Sequence, residues 1–150
     1  MTEVLFYDLR YETVDCILPS LLEKTIARGW NAVVQVDHDE RIEFLNRLLW
    51  TYRDDSFLPH GSAKDGNAIN QPIYLTSNLN ENPNNACIRF LIDGAQLETF
   101  KGYNRIVCMF NGNIDEALHA ARISWKKALH ENCDLTYWRQ STEGKWERKA

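Results

Sequence analysis

Apolar residues change their spacing repeatedly along the chain, and this alternation limits the folds that it can adopt. Residues 4–9 form a short apolar run that predicts a β-strand, and residues 13–27 carry apolar side chains at the spacing of one helix face. A valine-rich strand at 32–36 and a helix at 39–52 repeat the pattern. Because strands that alternate with helices favour a mostly parallel sheet covered by helices, we predict an α/β fold.

The second half of the chain continues this pattern. Residues 71–76, 87–92 and 105–110 are predicted strands, residues 114–132 a long helix, and residues 135–139 and 144–148 a final short strand or hairpin. The polar stretch 54–71 between them is predicted to be a long loop. A length of 150 residues suits one domain, since domains usually have ~100–200 residues. We therefore predict a single α/β domain over residues 1–150.

Neither membrane insertion nor secretion is indicated. The sequence has no run of about 18 apolar residues, and its first residues lack the basic start and apolar core of a signal peptide. The four cysteines are scattered and form no C-x-x-C pair, which argues against a zinc ribbon or a thioredoxin motif. We therefore expect a cytoplasmic protein with reduced, mostly buried thiols, no bound metal and no membrane partner.

Charge is distributed unevenly along the chain. The whole sequence has 17 Lys and Arg against 21 Asp and Glu, a net charge of −4. Residues 119–150 carry seven cations and four carboxylates, so this segment has a net charge of +3 and the rest −7. The segment also contains Trp125, Trp138 and Trp146. A protein that binds DNA over a broad surface would be basic, so any such role must be local or go through a partner.

Motifs for catalysis are not found. No phosphate-binding glycine loop follows the first strand, where the turn reads Asp-Leu-Arg-Tyr-Glu at 8–12, and no nucleophile elbow occurs. The acidic and histidine residues at 37–40 are explained by a helix start with Asp39 as its cap. His60 is expected to make a loop hydrogen bond. We expect no catalytic residues and no cofactor, with a nucleotide-binding α/β enzyme as the alternative.

Two clusters of aromatic residues are candidates for binding. On the last helix Arg122, Trp125 and Lys126 have i, i+3 and i+4 spacing, so they share a face, and Lys127 adds a further charge. Two cations beside an indole suit an anionic, partly apolar ligand, either a phosphate with a base or a peptide carboxylate with an aromatic side chain. The alternative is an ordinary amphipathic helix with Trp125 in the core.

The second cluster lies at the end of the second helix and in the loop that follows it. It comprises Trp50, Phe57, Pro59 and His60. Large apolar side chains are most often core residues, which is one interpretation of Trp50 and Phe57. The other is a protein-binding patch, because aromatic and proline residues on a loop often anchor a partner.

Three stretches of the chain carry a family resemblance. They are Val-Leu-Phe-Tyr at 4–7, Leu-Trp at 49–50 with Ser-Phe-Leu-Pro-His at 56–60, and Ala-Arg-Ile-Ser-Trp-Lys at 121–126 with the closing residues 135–139 and 145–146. In order and spacing they resemble the chi subunit of bacterial DNA polymerase III, part of the clamp-loader assembly, and the resemblance runs over essentially the whole chain. It implies a mononucleotide-binding-like, Rossmann-like fold without nucleotide-dependent activity.

The resemblance also implies partners and site residues. Members of the family link the polymerase assembly to the single-stranded DNA-binding protein by capturing its acidic C-terminal tail. Arg122, Trp125 and Lys126 match the tail-binding positions, Asn111 matches a position lining the same pocket, and Lys127 adds charge. Trp125 stands where the family often has a tyrosine. A second surface, for the psi subunit or another clamp-loader component, matches Trp50, Phe57, Pro59 and His60.

The expected role is therefore that of a non-catalytic adaptor within a DNA-directed DNA polymerase complex. Its contact with DNA is expected to be indirect, because the acidic body repels a polyanion. A direct single-stranded DNA-binding module that uses the C-terminal Trp, Lys and Arg residues is the second alternative.

Overall fold

Eight β-strands form one sheet within the part of the chain that the computed structural model describes, residues 2–52, 58–79 and 81–150. In chain order the strands are β1 Glu3–Leu9, β2 Ala32–Gln35, β3 Gly61–Ser62, β4 Ile73–Thr76, β5 Ile88–Ile92, β6 Arg105–Asn111, β7 Asp134–Gln140 and β8 Trp146–Arg148. Their order in the sheet is β3-β4-β2-β5-β6-β1-β7-β8. All neighbours are parallel except β7 and β8, so the prediction of a mostly parallel α/β sheet is confirmed.

Three helices in the described ranges cover the two faces of this sheet. They are α1 Val14–Ala27, α2 Asp39–Thr51 and α3 Asp115–His130. Helices α1 and α2 pack with the odd-numbered side chains of β1, such as Leu5 and Tyr7, on what we call the α1 face. Helix α3 packs with Val4 and Phe6 on the opposite face, which we call the α3 face. The prediction of helices on both faces is thus confirmed.

The central strands are buried on both sides. Every residue of β2, β4 and β5 is buried, as expected for parallel strands between two helical layers. This explains the continuous apolar runs of the sequence, because a strand that is covered by helices on both faces has no side chains that point into solvent. Of the three α-helices in the described ranges, α1 is the one whose N-terminus is capped by a side chain. Thr13 caps α1 by accepting a hydrogen bond from the backbone N–H of Cys16.

Helix α1 packs on β2 and β6, and α2 packs on β4. On the same face the side chains of β1, β7 and β8 remain partly exposed, among them Tyr7, Trp138 and Trp146. We call this part of the α1 face the open sheet face. On the other side of the sheet α3 packs on β6 and β7, so among the described residues β7 is covered by a helix mainly on the α3 face.

One buried charge lies inside the strand that the sequence shows as an apolar run. Arg89 of β5 is fully buried, and its guanidinium donates hydrogen bonds to Gln35 Oε1, Tyr103 Oη and the backbone carbonyls of Asn78 and Glu81. Burial lowers the pKa of Arg89, since the charged form has lost its water. The side chain holds the segment that follows β4 against the α3 face.

Several local predictions need correction. His38, not Asp39, occupies the cap position of α2, where its side chain makes no capping hydrogen bond, and Asp39 is the first helical residue. The stretch predicted as a loop contains the two residues of β3 and two 3₁₀ turns, Ala63–Asp65 and Ala68–Asn70. A two-residue strand and single 3₁₀ turns are too short to give a periodic pattern of apolar residues, so the sequence does not predict them.

The thiols are less buried than the sequence suggests. Cys108 is buried in β6, Cys16 is exposed in the first turn of α1, and Cys87 and Cys133 are partly exposed. The expectation of mostly buried thiols is therefore wrong. None of the four forms a disulfide, and burial raises the pKa of the Cys108 thiol because the thiolate would be desolvated.

Candidate functional site

The outer surface of α3 presents the basic residues that the sequence singled out. Arg122 and Lys126 are exposed and Trp125 is partly buried. Arg122 and Lys126 lie one turn apart and point away from Ala121, Ser124 and Ala128, the buried positions of α3, whereas Trp125 lies between them at the edge of the buried side. The predicted shared face of Arg122, Trp125 and Lys126 is therefore present, with two cations free to meet an anionic ligand beside an indole ring.

Trp125 is neither a fully buried core residue nor a free surface residue. Its ring centroid lies 5.2 Å from that of Phe6 on β1 and 6.0 Å from that of Tyr137 on β7. Both contacts have tilted or edge-on geometry, which aromatic pairs favour. The core therefore fixes one side of the indole, while its partial exposure leaves the other side available as a wall for a ligand.

Tyr137 is held in turn by a buried carboxylate. The Asp8 side chain is fully buried, and it accepts hydrogen bonds from Tyr137 Oη at 2.7 Å, from Arg10 Nε at 2.6 Å and from Arg139 Nε at 3.3 Å. We call these four residues the Asp8 cluster. Burial alone would raise the pKa of Asp8, but the hydrogen bonds from Arg10 and Tyr137 and the nearby guanidinium charges outweigh it and hold this pKa below its ordinary value.

The same interactions act on the phenol. Burial, followed by the hydrogen bond to Asp8, raises the pKa of Tyr137 to about 12. Tyr137 is therefore a neutral donor at pH 7, and its ring stays oriented against Trp125. Asp8 and Tyr137 were missed as functional candidates by sequence reasoning. The sequence did contain one signal, a carboxylate near the end of an otherwise apolar strand. A buried carboxylate needs a hydrogen-bond or charge partner, so Asp8 could have been singled out for that reason.

The Asp8 cluster predicts a pH-dependent contribution to stability. We expect Asp8→Asn to lower the free energy of unfolding by about 2 kcal/mol at pH 7, because partly buried donors lose a charged acceptor. A carboxyl whose pKa is lowered by folding stabilises the protein above its unfolded pKa, and this stabilisation disappears as the pH falls through the folded value. Urea unfolding at pH 7 and at about pH 3 measures the difference between the variant and the parent. The difference should shrink in acid, and a constant difference would contradict the assigned charge state.

Lys127 lies on the other flank of α3. Its Nζ donates a hydrogen bond to the backbone carbonyl of Leu97, in the segment between β5 and β6. A helical rotation of about 100° per residue carries Lys127 far around the helix from Arg122. The structure thus does not bring Lys127 together with Arg122, Trp125 and Lys126. The ammonium group of Lys127 contacts the protein's own backbone instead.

Asn111 occupies a different groove, at the end of β6. Its Oδ1 accepts a hydrogen bond from the backbone N–H of Asn113, and the residue helps to line a cavity of about 400 Å³ with Thr13, Asp15, Arg41 and other groups. Arg122, Trp125 and Lys126 do not line this cavity. Asn111 therefore lies near the start of α3, whereas the other candidates lie on later turns.

That cavity is where a doubly wound sheet usually binds its ligand, because α1 and α3 leave adjacent strands toward opposite faces there. Its one guanidinium, that of Arg41, is already paired with the carboxylates of Asp15 and Asp93. Burial opposes the charge of Arg41, but the two carboxylates raise its pKa above the ordinary value. A phosphate would meet two carboxylates and a neutralised arginine, which does not favour the alternative of a nucleotide-binding enzyme.

The second aromatic cluster lies at the end of α2. Trp50 is 56% exposed, so the interpretation of Trp50 as a core residue is wrong. Its ring centroid lies 5.6 Å from that of His60, and His60 Nε2 lies 2.9 Å from Asn46 Oδ1, which confirms a loop hydrogen bond for His60. Pro59 is partly exposed beside them. Phe57, predicted for the same surface, lies outside the described residues.

Two further properties bear on function. None of the helices in the described ranges is long and apolar enough to cross a bilayer. Among the same residues, no three His, Cys, Asp or Glu side chains come together as a group that could hold a metal ion.

The fold defines the class of this protein, an α/β protein built on one mostly parallel sheet with helices on both faces. Comparison with known proteins gives the family. The sequence model of the family described as DNA polymerase III chi subunit, HolC, matches residues 1–136. The probable DNA polymerase III subunit chi of Rickettsia prowazekii (strain Madrid E) is 30% identical over 137 residues, which cover 87% of this chain and 81% of the relative. The chain therefore belongs to the DNA polymerase III chi subunit family, an accessory subunit family of DNA replication.

Proposed function

We propose that this protein links the clamp-loader assembly of the replicative polymerase to the single-stranded DNA-binding protein by capturing the acidic C-terminal tail of that protein. The tail would bind at Arg122, Trp125 and Lys126 of α3, with Asn111 and Lys127 as outlying members of the predicted site. A psi subunit or another clamp-loader component would bind at Trp50, Pro59 and His60, together with Phe57. DNA would be reached mainly through the tail-bearing partner.

The placement of the two candidate surfaces is the observation that carries this proposal. Arg122 and Trp125 lie on the helix of the α3 face, whereas Trp50 lies at the end of α2, on the opposite face of the sheet. The two helices also pack on different halves of the sheet, since α3 packs on β6 and β7 and α2 on β4. A partner on one surface therefore leaves the other accessible, which an adaptor requires.

The chemistry of the α3 surface suits an acidic tail with a free carboxylate after an aromatic residue. Arg122 offers a planar guanidinium for the carboxylate, Lys126 offers a second charge for the acidic run, and Trp125 offers an apolar wall for the aromatic ring. One such tail should bind at roughly micromolar strength, about −8 kcal/mol. Several tails on one oligomeric partner would raise the overall avidity through effective concentration.

Removal of the guanidinium is the direct test of the tail site. We expect Arg122→Ala to weaken binding of an acidic peptide with a free C-terminal aromatic residue by ~1.5–3 kcal/mol, because the carboxylate loses a charged donor. Titration calorimetry measures this affinity. Arg47→Ala is the matched control, since Arg47 is also an exposed arginine on a helix but lies on α2, and it should bind the peptide as the parent does.

Two outcomes would contradict the proposed function. Equal affinity of Arg122→Ala and the parent, with both folded by circular dichroism, would overturn the tail site. Trp50→Ala should keep the affinity for the peptide and lose retention of the clamp-loader component. If Trp50→Ala instead lost the peptide, the assignment of separate surfaces to the two partners would be wrong.

A further inference from the structure

The open sheet face carries aromatic side chains that the proposed tail and clamp-loader surfaces do not use. Tyr7 of β1 and Trp138 of β7 are paired in register, so their side chains are neighbours on the same side of the sheet. Trp146 of β8 lies on this side as well, with its ring centroid 5.0 Å from that of Tyr7. All three are partly exposed, and three aromatic rings therefore lie side by side on the same surface.

A groove extends this surface toward the end of α1. Its volume is about 510 Å³, and Tyr7, Trp30, Lys24, Arg28 and Arg105 are among the residues that line it. The guanidinium carbon of Arg28 lies 4.3 Å from the centroid of the Trp30 ring, and that of Arg105 lies 5.7 Å from it. The fourth aromatic ring of this face is thus bordered by two guanidinium groups.

The charge of this face is opposite to that of the whole protein. Lys24, Arg28 and Arg105 border the groove, and Arg148 is paired in register with Trp138 at the other end of the face. The carboxylates on this side include that of Glu3, which is paired with Arg105, and that of Asp134, the exposed register partner of Glu3, so the four cations still outnumber them. A chain with a net charge of −4 therefore concentrates cations around exposed rings, which is a local site for a polyanion.

We infer that the open sheet face binds single-stranded nucleic acid directly, with bases stacked on its rings and phosphates held by its cations. Stacking on aromatic side chains within a basic groove is the general way in which proteins hold single strands without sequence preference. From Arg105 of β6, which borders the groove, to β8 the groove and the open sheet face together span about 14 Å at ordinary strand spacing, which is room for a few nucleotides. An acidic peptide would engage the cations but would leave a row of rings without stacking partners.

The binding and its salt dependence can be measured together. The parent protein should bind a short fluorescein-labelled oligothymidylate in fluorescence anisotropy titrations at low salt. The logarithm of the association constant should fall with the logarithm of salt concentration by about 0.7 per phosphate contact on a single strand. In the variant Lys24→Gln/Arg28→Gln the affinity should fall about tenfold, and the salt slope should become shallower by about 1.4 because two contacts are lost.

A second variant tests the rings. Trp138→Leu keeps an apolar side chain in the sheet and removes the stacking surface, so the affinity should fall at least about fivefold with an unchanged salt slope. Arg122→Ala is the control, because Arg122 lies on the opposite face, and it should bind the oligonucleotide as the parent does. Circular dichroism of each variant shows that it is folded.

Several results would overturn the inference. These are no binding of the oligonucleotide by the parent at low salt, an unchanged salt slope in Lys24→Gln/Arg28→Gln, or displacement of the oligonucleotide by an equal charge concentration of polyglutamate. The same variants should keep their affinity for the acidic tail peptide. Failure of these tests on the open sheet face therefore leaves the α3 site intact, and unchanged tail binding by Arg122→Ala, which would overturn the α3 site, leaves this inference intact.

Discussion

Gly112→Ala should lower the free energy of unfolding by about 3–5 kcal/mol, the cost of disrupting a buried ion pair. A Cβ atom at this position would lie 1.6 Å from Asp8 Oδ1 and 2.3 Å from Arg10 Nε. Neither atom can move away easily, because Asp8 is fully buried and holds Arg10, Tyr137 and Arg139 at once. The added methyl group must therefore separate the Asp8 cluster or displace the turn after β6.

Urea unfolding and thermal melts of the variant measure this loss. For a chain of this size 1 kcal/mol corresponds to roughly 2–4 °C, so Tm should fall by about 6–20 °C. Gly61→Ala is the matched control, since there the new Cβ would meet the flexible end of the Gln71 side chain, and it should cost about 1 kcal/mol. In an Asp8→Ala background the loss of stability caused by Gly112→Ala should shrink, because the carboxylate that the added methyl group would clash with has been removed. An equally large loss of stability in the Asp8→Ala background would mean that the added methyl group clashes with a group other than Asp8.

Arg89→Met is the second substitution for which we expect a large loss, about 4 kcal/mol, because it removes a fully buried guanidinium together with all the hydrogen bonds that this group donates. Gln35 Oε1, Tyr103 Oη and the carbonyls of Asn78 and Glu81 would lose the guanidinium that joins them. The thioether of methionine can fill the volume but donates no hydrogen bond. Arg89→Lys should recover only part of the loss, because a single ammonium cannot reach acceptors in several directions.

The control for this substitution lies on the next strand. Arg105 of β6 is paired in register with Ile88, and its side chain is partly exposed and paired with Glu3. Arg105→Met should therefore cost at most about 1 kcal/mol, the usual value of an exposed ion pair. Chemical unfolding of the two variants compares the same change in a buried and in a partly exposed environment. Equal losses would mean that the hydrogen bonds of Arg89 add nothing to those of an ordinary surface arginine.

The helices and the main strands could be predicted from the sequence because their patterns are local. Apolar spacing gave α1, α2 and α3 to within a few residues, and helical spacing alone placed Arg122, Trp125 and Lys126 together. What could not be predicted depends on partners that are far away in the chain. Tyr137 lies 129 residues beyond Asp8, so no window of sequence links the phenol to the carboxylate that orients it.

The order of the strands also decides what the tryptophans of the basic segment do. Trp125, Trp138 and Trp146 belong to one cationic segment of the sequence, and their common position invites a common role. In the structure Trp125 packs on the α3 face with Phe6, whereas Trp146 packs on the open sheet face with Tyr7. Helix α3 and strand β8 place Trp125 and Trp146 on opposite sides of the sheet, which only the topology reveals.

The position of β1 between β6 and β7 has a consequence for synthesis. The strand leaves the ribosome first, but its neighbours follow about 100 and 130 residues later, as the pairs Glu3–Arg105 and Asp8–Arg139 indicate. At about 5–20 residues per second the nascent chain spends several seconds with this apolar strand unpaired. The sheet can therefore close on both sides of β1 only after β7 has emerged, and pairing over such sequence separations is intrinsically slow.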